Sequence, residues 1–361
     1  MEKKGKKGRM DYTLLLIVVL LVVIGLVILY STSAYNGQVK FHDSFYYLKK
    51  QAFATVLGIV LMLFVAGMDY HIWQRLAVFG YLAAVALSVA VMLFGREING
   101  SKRWLALGPF SFQPSEFAKV ALILFLADLV TKNVKTIGKM WTLCRIMFWI
   151  LPIVGLVGAS NLSTAIIILG IGVILIFVAS PKYAQFALMG LAGACFMGIF
   201  LALESYRLER LAIWRNPEKY EKGYQTLQGL YAIGSGGVFG VGIGNSVQKL
   251  GFVPEAQNDM IFSIICEELG LAGAGIIVFL FLLLIWRFFL IASESRDLFG
   301  ALIATGAMAH MMIQVILNIA VVTNTIPNTG ITLPFISYGG TSVMFLLIEM
   351  GLVLSVSQVV D

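Results

Sequence analysis

Charge is scarce in this chain. Only 12% of its 361 residues are Asp, Glu, Lys or Arg, against roughly 25% in a soluble globular domain. With 59% hydrophobic residues alongside, that shortage excludes a water-soluble fold. Cysteine is rare too. Cys144, Cys195 and Cys266 lie in or beside apolar segments with no CxxC pairing, so neither a disulfide framework nor a zinc site is suggested, and all three read as packing residues. Long polar stretches are nearly missing, Glu204 to Asn258 being the one sizeable exception. No internal repeat is visible, which weakens a transporter built from duplicated halves. No GK[ST] triplet occurs, and Phe239 stands where a GxGxxG fingerprint counted from Gly234 needs glycine. Nucleotide chemistry therefore has no support.

What the chain has instead is a series of apolar runs of about 17 to 25 residues, each enough to cross about 30 Å of hydrocarbon as a helix. Runs such as Leu14 to Tyr30 and Ile166 to Val178 are apolar on every face, whereas a barrel strand alternates over about ten residues. The expected fold is all-α and polytopic. Ten spans are placed at 12–33, 47–67, 72–94, 115–131, 143–159, 162–179, 184–203, 260–290, 299–322 and 338–358. They form a single membrane domain, 1–361, with one long loop at 204–259. The first run exceeds the about 7 to 15 residues of a signal-peptide core, so it reads as an uncleaved anchor despite Ser31 and Ser33.

The formal net charge of +7 is spread over helix ends and loops, which fits topology and anionic lipid rather than nucleic acid. Lys3, Lys4, Lys6, Lys7 and Arg9 precede the first span and hold that end in the cytoplasm; ten spans return the other end there. Thirteen Lys and Arg then fall on inner segments against six on short outer loops. The outer side receives Asn99 to Glu116, Glu204 to Asp259 and Thr323 to Ser342.

An ionisable group inside hydrocarbon costs about 2.5 to 3.5 kcal/mol on insertion scales, so each one points to a partner or a function. Glu116 and Lys119 are three apart and share a helix face, as an ion pair or as substrate contacts. Asp259 heads the eighth span, where it either caps the helix or works at the water boundary. Glu267 and Glu268, about two turns deeper, read as internal hydrogen-bonding partners. His310, Gln314 and Asn318 recur every fourth residue as one polar stripe, most simply for interhelical hydrogen bonds. A lone histidine without companion ligands makes no metal site. The glycines of Gly234 to Gly251 offer close backbone approach to a ligand or to the bilayer surface. Arg207, Arg210 and Arg215, among Tyr206, Leu208, Leu211 and Trp214, read equally as a headgroup-facing amphipathic segment or as phosphate forks.

Four stretches stand out: Asn99-Gly-Ser-Lys-Arg-Trp-Leu105 with Phe112-Gln-Pro-Ser-Glu116; Tyr206-Arg-Leu-Glu-Arg-Leu211 running to Gly223-Tyr-Gln225; Ala232-Ile-Gly-Ser-Gly-Gly237 with Pro254-Glu-Ala-Gln-Asn-Asp-Met-Ile-Phe262 and Glu267-Glu-Leu-Gly270; and Pro327 through Gly340. Taken together they resemble the SEDS family (shape, elongation, division and sporulation), polytopic glycosyltransferases of lipid-linked peptidoglycan precursor. They cover nearly the whole chain. Tyr30 to Ser33, His42 to Tyr46 and Asn328 to Thr332 are closer to the FtsW and SpoVE branch than to RodA. One departure is Ser160-Asn-Leu-Ser-Thr164 where many members have Pro-Asp-Leu-Gly-Thr, so any role for a carboxylate at 161 is absent.

The resemblance implies a lipid II polymerase acting at the outer face of a bacterial cytoplasmic membrane, with Asp259 as catalytic base. Substrate binding falls to Arg210, Arg103, Lys102, Lys119, Glu116, Gln113, Ser337, Tyr338 and Gly339, and supporting roles to Glu267, Glu268, His310, Gln314 and Asn318. A sugar hydroxyl is a poor nucleophile at neutral pH and needs a positioned base. The departing pyrophosphate needs positive charge from arginine, lysine or a divalent cation such as Mg or Mn. Expected partners are lipid II, membrane lipids and a class B penicillin-binding protein, a transpeptidase. A flippase would instead line a path through the full depth with Glu116, Lys119, Glu267 and His310, and a non-catalytic scaffold would tolerate substitution at Asp259. The clustering of motifs on outer segments favours polymerisation.

Overall fold

The computed structural model describes residues 9–98, 101–107, 110–180, 182, 184–187, 190, 193 and 211–359. Ten α-helices lie wholly within them: α1 (Tyr12–Phe41), α2 (Tyr46–Gly67), α3 (His71–Phe94), α4 (Pro114–Asn133), α5 (Met140–Ser160), α6 (Leu162–Ala179), α7 (Tyr224–Ser235), α8 (Ile261–Ser293), α9 (Leu298–Val322) and α10 (Gly340–Ser357). Eight of these, all but α4 and α7, are long and apolar enough to cross a membrane. The chain is a multi-pass helical membrane protein. Nine expected spans coincide with described helices, α1 running on to Phe41; the span at 184–203 lies almost wholly outside the described residues.

Helix α4 carries Glu116, Lys119, Asp128 and Lys132 and still sits at the centre of the bundle. It is buried without a break from Ala118 to Asp128 and packs against α3, α5, α6, α9 and α10. Its charges are tolerated because each has a partner. Lys119 lies 3.0 Å from Glu116; Lys132 lies 2.6 Å from Asp128, whose other oxygen accepts from Gln74 at 3.0 Å. Proline at the first helical position suits an N-terminus whose leading N–H has no partner anyway.

Helix ends are tied together away from the loops that carry the motifs. Asp11 caps α1 by accepting from the Leu14 amide at 2.9 Å, binds Arg287 near the end of α8, and donates its own amide to Ser357 Oγ in α10 at 3.2 Å. Asp297 caps α9 through the Gly300 amide at 2.7 Å and accepts from Tyr70 at 2.5 Å, with His71 at 2.9 Å. At the other end, between α3 and α4, strands β1 (Arg96–Ile98), β2 (Ser101–Leu107) and β3 (Phe110–Phe112) form a small antiparallel sheet in that order. Thr341 Oγ1 at the start of α10 donates to the Ser111 carbonyl at 2.9 Å and fastens the sheet to the bundle.

Helix α8 is broken at Gly270, whose backbone leaves the helical region (φ 67°, ψ −168°). Inside a membrane the carbonyls and amides freed by such a break need new partners. The loop after α7 supplies them. The amides of Val241 and Gly242 donate to the carbonyls of Glu267 and Glu268, and the amides of Leu271 and Ala272 donate to the carbonyls of Gly237 and Val238, all four at 2.9 Å. A Cβ on Gly240 (φ +78°) would stand 2.2 Å from the Glu268 carbonyl oxygen. The glycine-rich stretch thus approaches a broken helix, a use of its glycines additional to the expected ones, while Val238, Phe239, Ile243 and Val247 remain exposed. The side chains below the break hold the same loop. Glu267 accepts from the Ser246 hydroxyl and from the amides of Val247 and Gln248 at 3.0 and 3.4 Å. Glu268 accepts from Lys249 at 2.6 Å and from Ser31 of α1 at 2.7 Å.

Gly240→Ala is expected to cost about 2 to 4 kcal/mol, because it combines backbone strain with a clash against backbone. The readout is the thermal midpoint of detergent-purified protein. Gly275→Ala, whose methyl meets open space on α8, should leave that midpoint unchanged or slightly higher.

Candidate active site

A cleft of about 1320 Å³ opens at the sheet-bearing end of the bundle, with Lys49, Arg103, Glu116, Asn161, Asp259 and Ser337 among its walls. The starts of α2, α4, α6 and α10 and the ends of α5 and α9 meet there. Irregular backbone at 323–339 closes one side. It is held from α2, where Gln51 Nε2 donates to the Ser337 carbonyl at 3.3 Å and Gln51 Oε1 accepts from the Gly339 amide at 3.1 Å.

Asp259 stands one residue ahead of Met260, the N-cap of α8, which makes no side-chain cap bond. Its part-buried carboxylate accepts from Gln225 of α7 at 3.4 Å. Burial pushes this carboxyl up to about 6 and the negative charge of Glu255 adds to the rise, while backbone hydrogen bonds at Asp259 and Met260 and the hydrogen bond from Gln225 oppose it. Backbone contacts fix its place: Asn318 Nδ2 donates to the Asp259 carbonyl at 2.9 Å and to the Ile331 carbonyl at 2.7 Å. Gly330 faces the carboxylate closely enough that a Cβ there would lie 4.0 Å from Asp259 Oδ2.

Lys119 and Glu116 are both buried and line the cleft as an ion pair. Lys119 Nζ also reaches Gln314 Oε1 at 3.4 Å. Arg103 is half-buried and donates from Nε to the Ser160 carbonyl at 3.1 Å. Gln113 lines the cleft ahead of α4, donating to Ser115 Oγ at 3.1 Å. Ser337 Oγ accepts from the Leu333 amide at 2.8 Å, and Tyr338 meets Tyr47 edge-on at 5.0 Å. These last two lie on the cleft wall as parts of the loop's own fastening. Arg210 and the side chain of Lys102 lie outside the described residues.

Several lining residues are given no site role by the sequence reading. Lys49 and Lys50 count there only as topological charge, yet both border the cleft. Lys49 pairs with Asp43 at 2.8 Å, and Lys50 donates to the Tyr46 hydroxyl at 2.6 Å. Gln225, Trp214 and Asn324 join them only because the loops converge. Trp214 Nε1 donates to the Asn324 carbonyl at 2.9 Å. Asn161 borders the cleft and caps α6 through the Thr164 amide at 3.2 Å.

A hard divalent cation takes about six or more oxygen ligands, largely carboxylates and carbonyls. Among the described residues no three of His, Cys, Asp and Glu stand together in a way that could hold a metal ion, and Glu116 is already bound to an ammonium. The donor set among the described residues does not by itself fit such a cation.

The sequence model of a family described as cell cycle protein and named for FtsW, RodA and SpoVE matches residues 12–361. Stage V sporulation protein E of Bacillus subtilis (strain 168) is 40% identical over 366 residues, covering 98% of each chain. A probable peptidoglycan glycosyltransferase FtsW from Trichlorobacter lovleyi is 34% identical over 363 residues, 99% of this chain and 95% of that one. Among solved structures, a chain from a peptidoglycan synthase complex, described as coordinating polymerization and crosslinking, aligns with a TM-score of 0.83 at 30% identity, over 96% of this chain and 97% of that one.

Lys119→Met leaves the Glu116 carboxylate buried without its counter-ion and is expected to cost about 3 to 5 kcal/mol. The double variant Lys119→Met with Glu116→Leu should recover most of that loss in a thermal-unfolding series. A double-variant loss equal to the sum of the losses of Lys119→Met and Glu116→Leu alone would show that the pair is not coupled.

Proposed function

Because the chain belongs to the FtsW, RodA and SpoVE family, we propose that it is a peptidoglycan glycosyltransferase that polymerises lipid II in the cleft beside Asp259. The observation that carries this reading is one carboxylate, raised to about 6, on the wall of a large cleft that also holds buried and half-buried cationic side chains. Two lipid-linked sugars need more room than one small ligand. The cleft exceeds the roughly 300 to 1,000 Å³ of an ordinary small-molecule site.

In this reading the 4-hydroxyl of the acceptor's N-acetylglucosamine attacks the anomeric carbon of the donor's N-acetylmuramate. The new carbon–oxygen bond forms as the bond to pyrophosphate breaks, and the α linkage inverts to β. Asp259 takes the hydroxyl proton and later returns it to water. A base with a midpoint near 6 is almost wholly ionised at pH 7 and holds a proton more readily than an ordinary aspartate, which favours the transfer. Undecaprenyl pyrophosphate leaves as a weakly basic anion, so no second carboxyl is needed to protonate it. Arg103 and Lys119 supply positive charge toward that anion, and no step is routed through a metal.

The positive-inside count supports an extracytoplasmic cleft. Polyprenyl tails would stay in lipid while the sugars react at the membrane boundary. A flippase needs a polar path to the opposite end of the bundle, where Asp11 is engaged with Arg287 and Ser357, and Asp297 with Tyr70 and His71. A class B penicillin-binding protein is the proposed partner, in keeping with the similar chain in a peptidoglycan synthase complex. The FtsW and SpoVE names of the two relatives favour division or sporulation over elongation.

Purified protein supplied with lipid II should form glycan strands, and Asp259→Asn should lower the rate by about 10²- to 10⁴-fold while the protein stays abundant in membranes. A base must be deprotonated, so the wild-type rate should rise with pH through about 6 and level off above it. Undiminished polymerisation by Asp259→Asn would refute the base assignment.

A further inference from the structure

The stripe His310, Gln314 and Asn318 on α9 has no part in the mechanism above, yet all three are almost fully buried. The orientation of the Gln314 amide follows from its neighbours. Nε2 donates to the Thr332 carbonyl at 3.0 Å, while Oε1 faces Lys119 Nζ at 3.4 Å and His310 Nε2 at 2.9 Å. Turning the amide over would set its NH₂ against an ammonium and its oxygen against a carbonyl, two repulsions between almost fully buried groups on the cleft wall. His310 Nε2 therefore carries a hydrogen. Its other nitrogen, Nδ1, lies 2.8 Å from Glu349 Oε2 on α10, with one proton between them. Whichever atom holds that proton, Nε2 remains the donor to Gln314.

One turn further along α9, Asn318 donates to the carbonyls of Asp259 and Ile331. The two amides thus grip the consecutive carbonyls of Ile331 and Thr332 together with that of Asp259. The backbone at 323–339 is irregular, and its carbonyls at 331 and 332 are held by side chains of α9. We propose that Gln314 and Asn318 are positioning residues, with the His310–Glu349 pair setting the Gln314 amide, that keep the Asp259 wall and the Ile331–Thr332 loop in register over Lys119. A misplacement of about 1 Å at a reacting site lowers rates by about 10²-fold, and these clamps work on that scale. The rate consequence rests on the glycosyltransferase reading; the hydrogen-bond assignment does not.

Two measurements decide it, made on full-length protein in lipid nanodiscs. The chain has three histidines, His42, His71 and His310, so ¹⁵N-histidine NMR resolves them, and His310 is assigned by the signal missing from His310→Asn. Expected are a protonated Nε2 in the wild type and in Glu349→Gln, whose amide can donate to Nδ1, and a weakened Nε2 hydrogen bond in Gln314→Leu. With lipid II as substrate, Gln314→Leu and Asn318→Leu should each lower kcat by about 10²-fold with KM little changed, and Glu349→Gln should stay near the wild-type rate. A bare Nε2 on His310, or a folded Gln314→Leu with wild-type kcat, overturns the proposal. If wild-type protein forms no glycan, the enzymatic reading fails, and the nitrogen spectrum alone decides the clamp.

Discussion

The charged side chains and the broken helix backbone that this bundle carries into hydrocarbon are met by partners within the chain, and the shape of the cleft follows from how those partners are arranged. Water is not available there to solvate a stray charge or a freed carbonyl. Helix α4 meets the constraint by pairing Glu116 with Lys119 and Asp128 with Lys132. Helix α8 meets it differently. It breaks at Gly270 and lets the loop from Gly237 to Gly242 take over four backbone hydrogen bonds. That exchange anchors the loop beside α8 well below its head, from which the chain returns to present Asp259.

The same constraint explains why the site is both polar and firm. Asp259 owes its raised midpoint to burial and to the nearby charge of Glu255, while backbone hydrogen bonds at Asp259 and Met260 and the Gln225 side chain oppose the rise. Asn318 holds the carbonyl, and Gln225 alone among side chains of the described residues is seen donating to the carboxylate, at 3.4 Å. Lys119 lies nearby, balanced between Glu116 and Gln314, so a cation reaches the cleft without an unpaired charge in the interior.

Much of this architecture can be read from residue order. Apolar runs mark the spans because hydrocarbon thickness sets their length, and a spacing of three puts Glu116 and Lys119 on one face. The stripe at 310, 314 and 318 shows as a period of four, but its partners, Glu349, Thr332 and the Asp259 carbonyl, belong to other elements that periodicity does not relate. The break at Gly270 is silent for a similar reason. A glycine in an apolar run looks like any packing residue until the loop that replaces its hydrogen bonds is in view. Strands β1 to β3 escape notice because three-residue pairings carry too little alternation to register. Lys49 and Lys50 pass as loop charge because only the folded bundle brings them to the cleft.

The central claim is that Asp259 is a solvent-reached carboxylate poised to hold a proton near neutrality. Infrared difference titration of the carboxyl band, wild type against Asp259→Asn in nanodiscs, measures that state directly. The account requires a band unique to the wild type that titrates with a midpoint of about 6. A midpoint near the ordinary 3.8, or a carboxyl that never titrates because no water reaches it, would contradict it.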